Sequence, residues 1–168
     1  METFDVIHAA RALLLIMVTN AVPWAASRVL PRHGTAPLDC GLKSRDGRRL
    51  LGDHKTWKGL LIGTLGCGLT AILTGPGFAV GAGFGALSLT GDALSSALKR
   101  RLRLAPGTEI PGLDQLPEAL LPSIFFAGAL RIGPAEIMAS VLAFLVLDML
   151  ATRVRQGPSA RASDQSEG

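Results

Sequence analysis

Within GDALSSALKRR, residues 91–101, an acid, two hydroxyls and three bases stand close together at the end of an apolar run. Asp92, Ser95, Ser96 and Lys99 follow i, i+3, i+4, i+7 spacing, so a helix through this stretch puts all four on one face. About 10 Å of helix separate the acid from Lys99. A carboxylate at the edge of an apolar segment is costly unless it is paired or coordinated. Two readings follow: an ion pair to a neighbouring helix, or a metal-binding acid beneath a basic rim.

The next stretch, KRRLRLAPGTEIPGLDQLPE, offers a second acid. Lys99, Arg100, Arg101 and Arg103 make an anion-binding edge, although arginines flanking a membrane span look the same. Turns at Pro106-Gly107 and Pro111-Gly112 bring Asp114 back toward the apolar region that follows. Asp114 is then either a helix cap or a carboxylate brought opposite Asp92. A third group lies earlier, where Asp39, Asp46 and Asp53 interleave with Lys43, Arg48, Arg49, Lys55 and Lys58 around Gly41, Gly47 and Gly52. Such a loop is either solvated and internally paired or built to wrap a metal–phosphate complex. Lysine and arginine neutralise phosphate oxygens, and carboxylates hold magnesium.

The rest of the chain must position these groups at a membrane. Its 168 residues are 48% hydrophobic and 18% charged, with 20 glycines, 10 prolines and no tyrosine. Mean hydropathy is +0.37. This composition describes one all-α integral membrane domain over residues 1–156, with a polar tail expected to be disordered from 157 to 168. Five apolar stretches, about 4–30, 58–75, 77–98, 117–131 and 134–152, approach the roughly 20 residues that cross a bilayer. The fourth is the weakest, with Pro117 and Pro122 near its start.

Fifteen of the 17 lysines and arginines fall in the two long loops and the tail, and only Arg11 and Arg131 lie near the other face. The N-terminus is therefore expected outside, with both loops and the C-terminus cytoplasmic. That asymmetry accounts for the basic balance without a nucleic-acid partner. The N-terminal stretch lacks the basic start and small-residue cleavage site of a removed signal peptide. Cys40 and Cys67 are expected to be free thiols, and no Cys or His pair has zinc-ligand spacing. Gly59 and Gly63, then Gly77, Gly81 and Gly85, repeat the four-residue interval of closely packed membrane helices. Asn20 is expected to bond between helices, Asp148 to pair with loop arginines, and Trp57 to anchor at the interface.

PLDCGLKSRDGRRLLGDHKTWKG, then GDALSSALKRR, then PGTEIPGLDQLP resemble, in this order, the CDP-archaeol synthase family, itself similar to the CDP-diacylglycerol synthases. The motifs span about residues 37–118. The resemblance implies a five-span membrane cytidylyltransferase that uses magnesium, CTP and a lipid phosphate, an unsaturated archaeal ether lipid in that family. It implies that Asp92, Lys99 and Asp114 carry the catalysis and that Asp92 and Asp114 hold the metal. It further implies that Asp39, Asp46, Arg48, Arg49, Lys55, Ser96 and Arg100 bind substrate. Pro117 stands where the bacterial diacylglycerol enzymes have a second aspartate, which leaves Glu118 as the candidate substitute.

The acceptor in such a reaction is already anionic, so no protein nucleophile is needed and the task is positioning and charge neutralisation. A charged loop set against an apolar span suits one soluble polyanionic substrate and one that stays in the bilayer. The alternatives are the same transfer to phosphatidic acid, or a non-catalytic membrane transport or lipid-binding protein. A monomer and a homodimer fit the sequence equally.

Overall fold

A computed structural model describes residues 4–30, 36–42, 51, 55–102, 104, 110 and 112–164, with side chains as far as 153. Six helices follow in order: α1 (Val6–Val29), α2 (Trp57–Thr74), α3 (Phe78–Arg101), α4 (Gln115–Phe125), α5 (Ala127–Leu130) and α6 (Pro134–Asp164). The all-α expectation holds among the described residues, where the only extended pairing is an antiparallel bridge between Pro37 and Thr56.

Helix boundaries follow local chemistry. Asp5 caps α1 by accepting from the Ile7 and His8 N–H groups at 2.8 and 3.2 Å. Thr56 caps α2 through the Gly59 N–H at 3.1 Å. Gly75 ends α2 in the left-handed region, φ 107°, a conformation that costs glycine little. The Gly75-Pro76-Gly77 turn then makes α2 and α3 antiparallel neighbours with the most extensive contact in the fold.

Glycines allow that contact. A Cβ on Gly81 would lie 2.2 Å from Ala71 Cβ and 2.6 Å from the Cys67 carbonyl oxygen. A Cβ on Gly85 would lie 2.8 Å from Cys67 Cβ. The four-residue interval is therefore a packing seam.

The side-chain distribution is that of a protein in an apolar solvent. Leu61, Leu65, Leu69, Ile72 and Leu73 of α2 point outward, as do Leu142, Val146, Leu147 and Leu150 of α6. Thr19, Ser88, Ser123 and Ser140 are buried beside a core of Leu15, Ile16, Cys67, Phe84, Ala119 and Phe144. In water an apolar surface of this size would be a liability, whereas in lipid it costs nothing.

Among the described residues, three helices, Val6–Val29, Trp57–Thr74 and Pro134–Arg153, are each long and apolar enough to cross a membrane. The stretch expected as a fourth span is divided: α4 ends at Phe125 and α5 begins at Ala127. Pro122, inside α4, offers no N–H to the preceding turn, and Phe126 leaves helical geometry at φ −98°, ψ 13°. The tail expected to be disordered from residue 157 is helical as far as Asp164. Extending an existing helix costs far less than nucleating one; Gly157 and Pro158 oppose the extension, while Ala160, Arg161 and Ala162 favour it.

Candidate active site

The charged groups meet where the loops enter the helices. Residues 36–38 run antiparallel to 55–57: the Leu38 N–H donates to the Lys55 carbonyl at 2.7 Å, and the Trp57 N–H to the Ala36 carbonyl at 3.1 Å. This bridge fixes Lys55 just before α2. From there its ammonium donates to Asp92 Oδ2 on α3. About two turns further along the same helical face, Lys99 Nζ lies 2.7 Å from Asp114 Oδ1. Thus α3 presents an acid and a base, and each takes its opposite charge from a different loop. Of the two sequence readings of Asp92, the ion pair to a neighbouring element is the one seen here, with Lys55 as the partner.

Asp114 does not cap α4. Its backbone is already helical, φ −81° and ψ −48°, and its side chain makes no capping bond. Oδ2 receives a long contact of 3.4 Å from the Ile110 N–H. Oδ1 is buried, and the Lys99 ammonium 2.7 Å away is its counter-charge. A buried anionic oxygen with spare lone pairs is costly to maintain without a cation nearby.

Glu118, one turn into α4, is 7% exposed. It interacts electrostatically with Asp92, Asp148, Lys55 and Asp114. The close approach of α3 and α4 creates this cluster. A Cβ on Gly91 would lie 2.5 Å from the Pro117 carbonyl oxygen and 2.9 Å from the Glu118 nitrogen. Only glycine at 91 lets the two backbones come so near.

A cavity of about 130 Å³ opens beside the Lys55–Asp92 pair, walled by Asn20 and Pro23 of α1, Thr56, Leu60, Leu89 and Asp92. Asn20 was expected to bond between helices, but its amide donates to the Ile16 carbonyl of its own helix at 3.3 Å. One turn back is the nearest carbonyl, and the rest of the side chain is left at the cavity wall.

The other expected site residues divide. Ser96 and Arg100 lie half-buried on α3, between and beyond the paired charges. Asp39 is buried and turned into its own loop, accepting from the Gly41 and Leu51 N–H groups at 3.1 and 3.2 Å. Asp46, Arg48 and Arg49 lie outside the described residues. Asp148, expected to pair with arginines, instead accepts from Gln115 Nε2 at 2.9 Å. Gln115 reaches it because α4 begins directly against α6.

No three His, Cys, Asp or Glu side chains among the described residues converge to hold a metal unaided. Magnesium is commonly held by one or two carboxylates together with substrate phosphates. Asp92 and Asp114, each facing one lysine ammonium, fit that mode.

A CarS-like CDP-archaeol synthase family model matches residues 11–82. The CDP-archaeol synthase of Pyrococcus abyssi is 38% identical over 131 residues, 70% of this chain and 77% of that relative. That of Staphylothermus marinus is 33% identical over 148 residues, 82% of this chain and 81% of the relative. The chain belongs to the CDP-archaeol synthase family. A solved intramembrane enzyme of archaeal membrane lipid biosynthesis is also similar, with a TM-score of 0.74 and 31% identity over 88% of this chain and 94% of that one.

Membership of the CDP-archaeol synthase family agrees with the resemblance carried by the three motifs, two of which supply Asp92, Lys99 and Asp114. Asn20 and Asp148 lie outside those motifs, and although Gly91 and Gln115 lie within them, the approach of Gly91 to α4 and the Gln115–Asp148 pairing are not written there. Gly91 alone had a local hint, since a glycine inside a helical pattern and directly before an acid marks a close approach.

Proposed function

We infer that this chain is a membrane cytidylyltransferase that moves CMP from CTP to the phosphate of an unsaturated archaeal-type ether lipid, releasing pyrophosphate. An oxygen of the lipid phosphate attacks the α-phosphorus of CTP, and the bond to the β-phosphate oxygen breaks. The observation that carries this reading is the crosswise pairing of Asp92 with Lys55 and Asp114 with Lys99 in a member of this family. Two acids and two lysines at one helix end provide both the charges such an attack needs.

Asp92 and Asp114 are the residues that would hold magnesium, which when bound lowers the charge on the reacting phosphates. Lys55 and Lys99 are positioned to transfer their ammonium groups from carboxylate to phosphate oxygens as the nucleotide enters. Arg100 extends the same basic edge, and Arg48, outside the described residues, would add its charge to the nucleotide's phosphates. Ser96 stands between the two pairs as a hydroxyl donor to a phosphate oxygen. Asp39 serves substrate binding by holding its loop together.

In this reading α3 and the α4–α5 pair complete five crossings with the three apolar helices. The N-terminus lies outside, and the site opens to the cytoplasm of the cell membrane. The lipid enters sideways between helices, and CTP enters from the loops.

The test uses purified protein in detergent with magnesium, radiolabelled CTP and either an archaeal-type ether lipid phosphate or phosphatidic acid. Label entering the lipid phase with the ether lipid supports the reading. Label with phosphatidic acid alone moves the acceptor to diacylglycerol. No transfer to either lipid and no CTP binding would sink it.

A further inference from the structure

Asp114 reaches its position opposite Lys99 from a turn, so something must hold that turn. The Gln115 side chain bridges it. Its Oε1 accepts the Gly112 N–H at 2.8 Å, and its Nε2 donates to Asp148 Oδ2 on α6 at 2.9 Å. The amide orientation is forced, because a backbone N–H can meet only the oxygen and a carboxylate only the nitrogen. Gln115 is 7% exposed, so water cannot readily replace either bond. Gly112 sits at φ 88°, the left-handed bend that brings the chain into α4. The bridge thus clamps both sides of Asp114 to a helix that carries neither lysine of the site.

We propose that Asp148 is a positioning residue that acts through Gln115 to hold Asp114 opposite Lys99, as a hydrogen-bond acceptor and not as a metal ligand or a required charge. This rests on the cytidylyltransferase reading for its activity test, but not for its structural one. The donor that Asp148 meets is a neutral amide, which asks for a lone pair and not for a charge. What Gln115 needs from α6 is a lone pair at the right place. An asparagine supplies it.

The experiment compares D148N, D148A, Q115A and the double variant D148A/Q115A in the full chain. D148A is expected to lower kcat by about 10- to 100-fold, the usual cost of losing a partner that orients a ligand. D148N is expected to retain most of kcat. D148A/Q115A should lose no more than the worse single variant, since both remove one bridge. Hydrogen exchange of the 112–116 amides, which needs no turnover, should quicken in D148A and Q115A but not in D148N. If D148N is as inactive as D148A while both elute folded, a charge or ligand role for Asp148 replaces the proposal. Unchanged exchange in D148A overturns it even if no lipid acceptor is found. An inactive wild type with the expected exchange pattern instead faults the assigned reaction and keeps the bridge.

Discussion

Carboxylates gather at both ends of the helices, but they are used differently. At the end where α1 begins, Glu136 accepts the Asp5 and Gly133 N–H groups at 2.9 Å each. Asp5 accepts two more from its own helix and contacts His8 Nδ1 at 2.8 Å. There the acids satisfy main-chain donors that would otherwise be orphaned, and they seal the helix ends. At the other end Asp92 and Asp114 face lysines distant in sequence. A carboxylate committed to backbone N–H groups cannot release them without fraying a helix. One held by a lysine ammonium can exchange that partner for a metal and hand the lysine to a phosphate. The difference between sealing and exchange marks the active end more clearly than the number of charges does.

Replacing Asp92 by asparagine should break the exchange end outright, with transfer lowered at least about 10²-fold in a protein that still folds. Activity near wild type in Asp92→Asn would mean the pair is only structural. Gly91→Ala comes next, because its Cβ must push α4 away through the Pro117 backbone. A shift near 1 Å at the reacting groups costs up to about 10²-fold in kcat, and the magnesium concentration for half activity should rise.

Gly81→Ala sharpens the comparison, since its clash with Ala71 is tighter still but lies three turns from Asp92. It should cost about 1–3 kcal/mol of stability, read by thermal unfolding, with activity per folded molecule preserved. If Gly81→Ala lowers kcat as much as Gly91→Ala, both glycines serve packing alone. Thr56→Ala removes the cap of α2 for about 1 kcal/mol and should raise KM for CTP by loosening the neighbouring Lys55. The smallest effect on turnover is expected for Glu136→Ala, which should lower the melting temperature and leave kcat alone. A drop in kcat there would erase the distinction between the two ends.

Much of the active end was legible before the fold. Asp92, Ser96 and Lys99 share a helical face by spacing alone, and Asp114 follows two turn signals. What spacing cannot convey is which opposite charge each group takes. Lys55 and Asp92 are 37 residues apart, and Gln115 and Asp148 are 33 apart. Those pairings depend on how α2 and α6 pack, which no local pattern encodes. Asn20 misled for the opposite reason: an amide in an apolar helix invites a neighbour, yet its own helix offered a carbonyl one turn away. The divided fourth span was foreshadowed by its prolines, but the break falls at Phe126, after Pro122 has weakened the turn.

Because α3 carries both Asp92 and Lys99, its neutralising charges come from the residues just before α2 and α4. Asp92 lies inside α3, well before its end, and a carboxylate there raises the cost of that helix entering lipid alone. Its acid is matched as soon as Lys55 and α2 are in place, and its base only when Asp114 and α4 emerge. The same pairs that prepare the site for its substrates would make the middle of the chain enter the bilayer as a group.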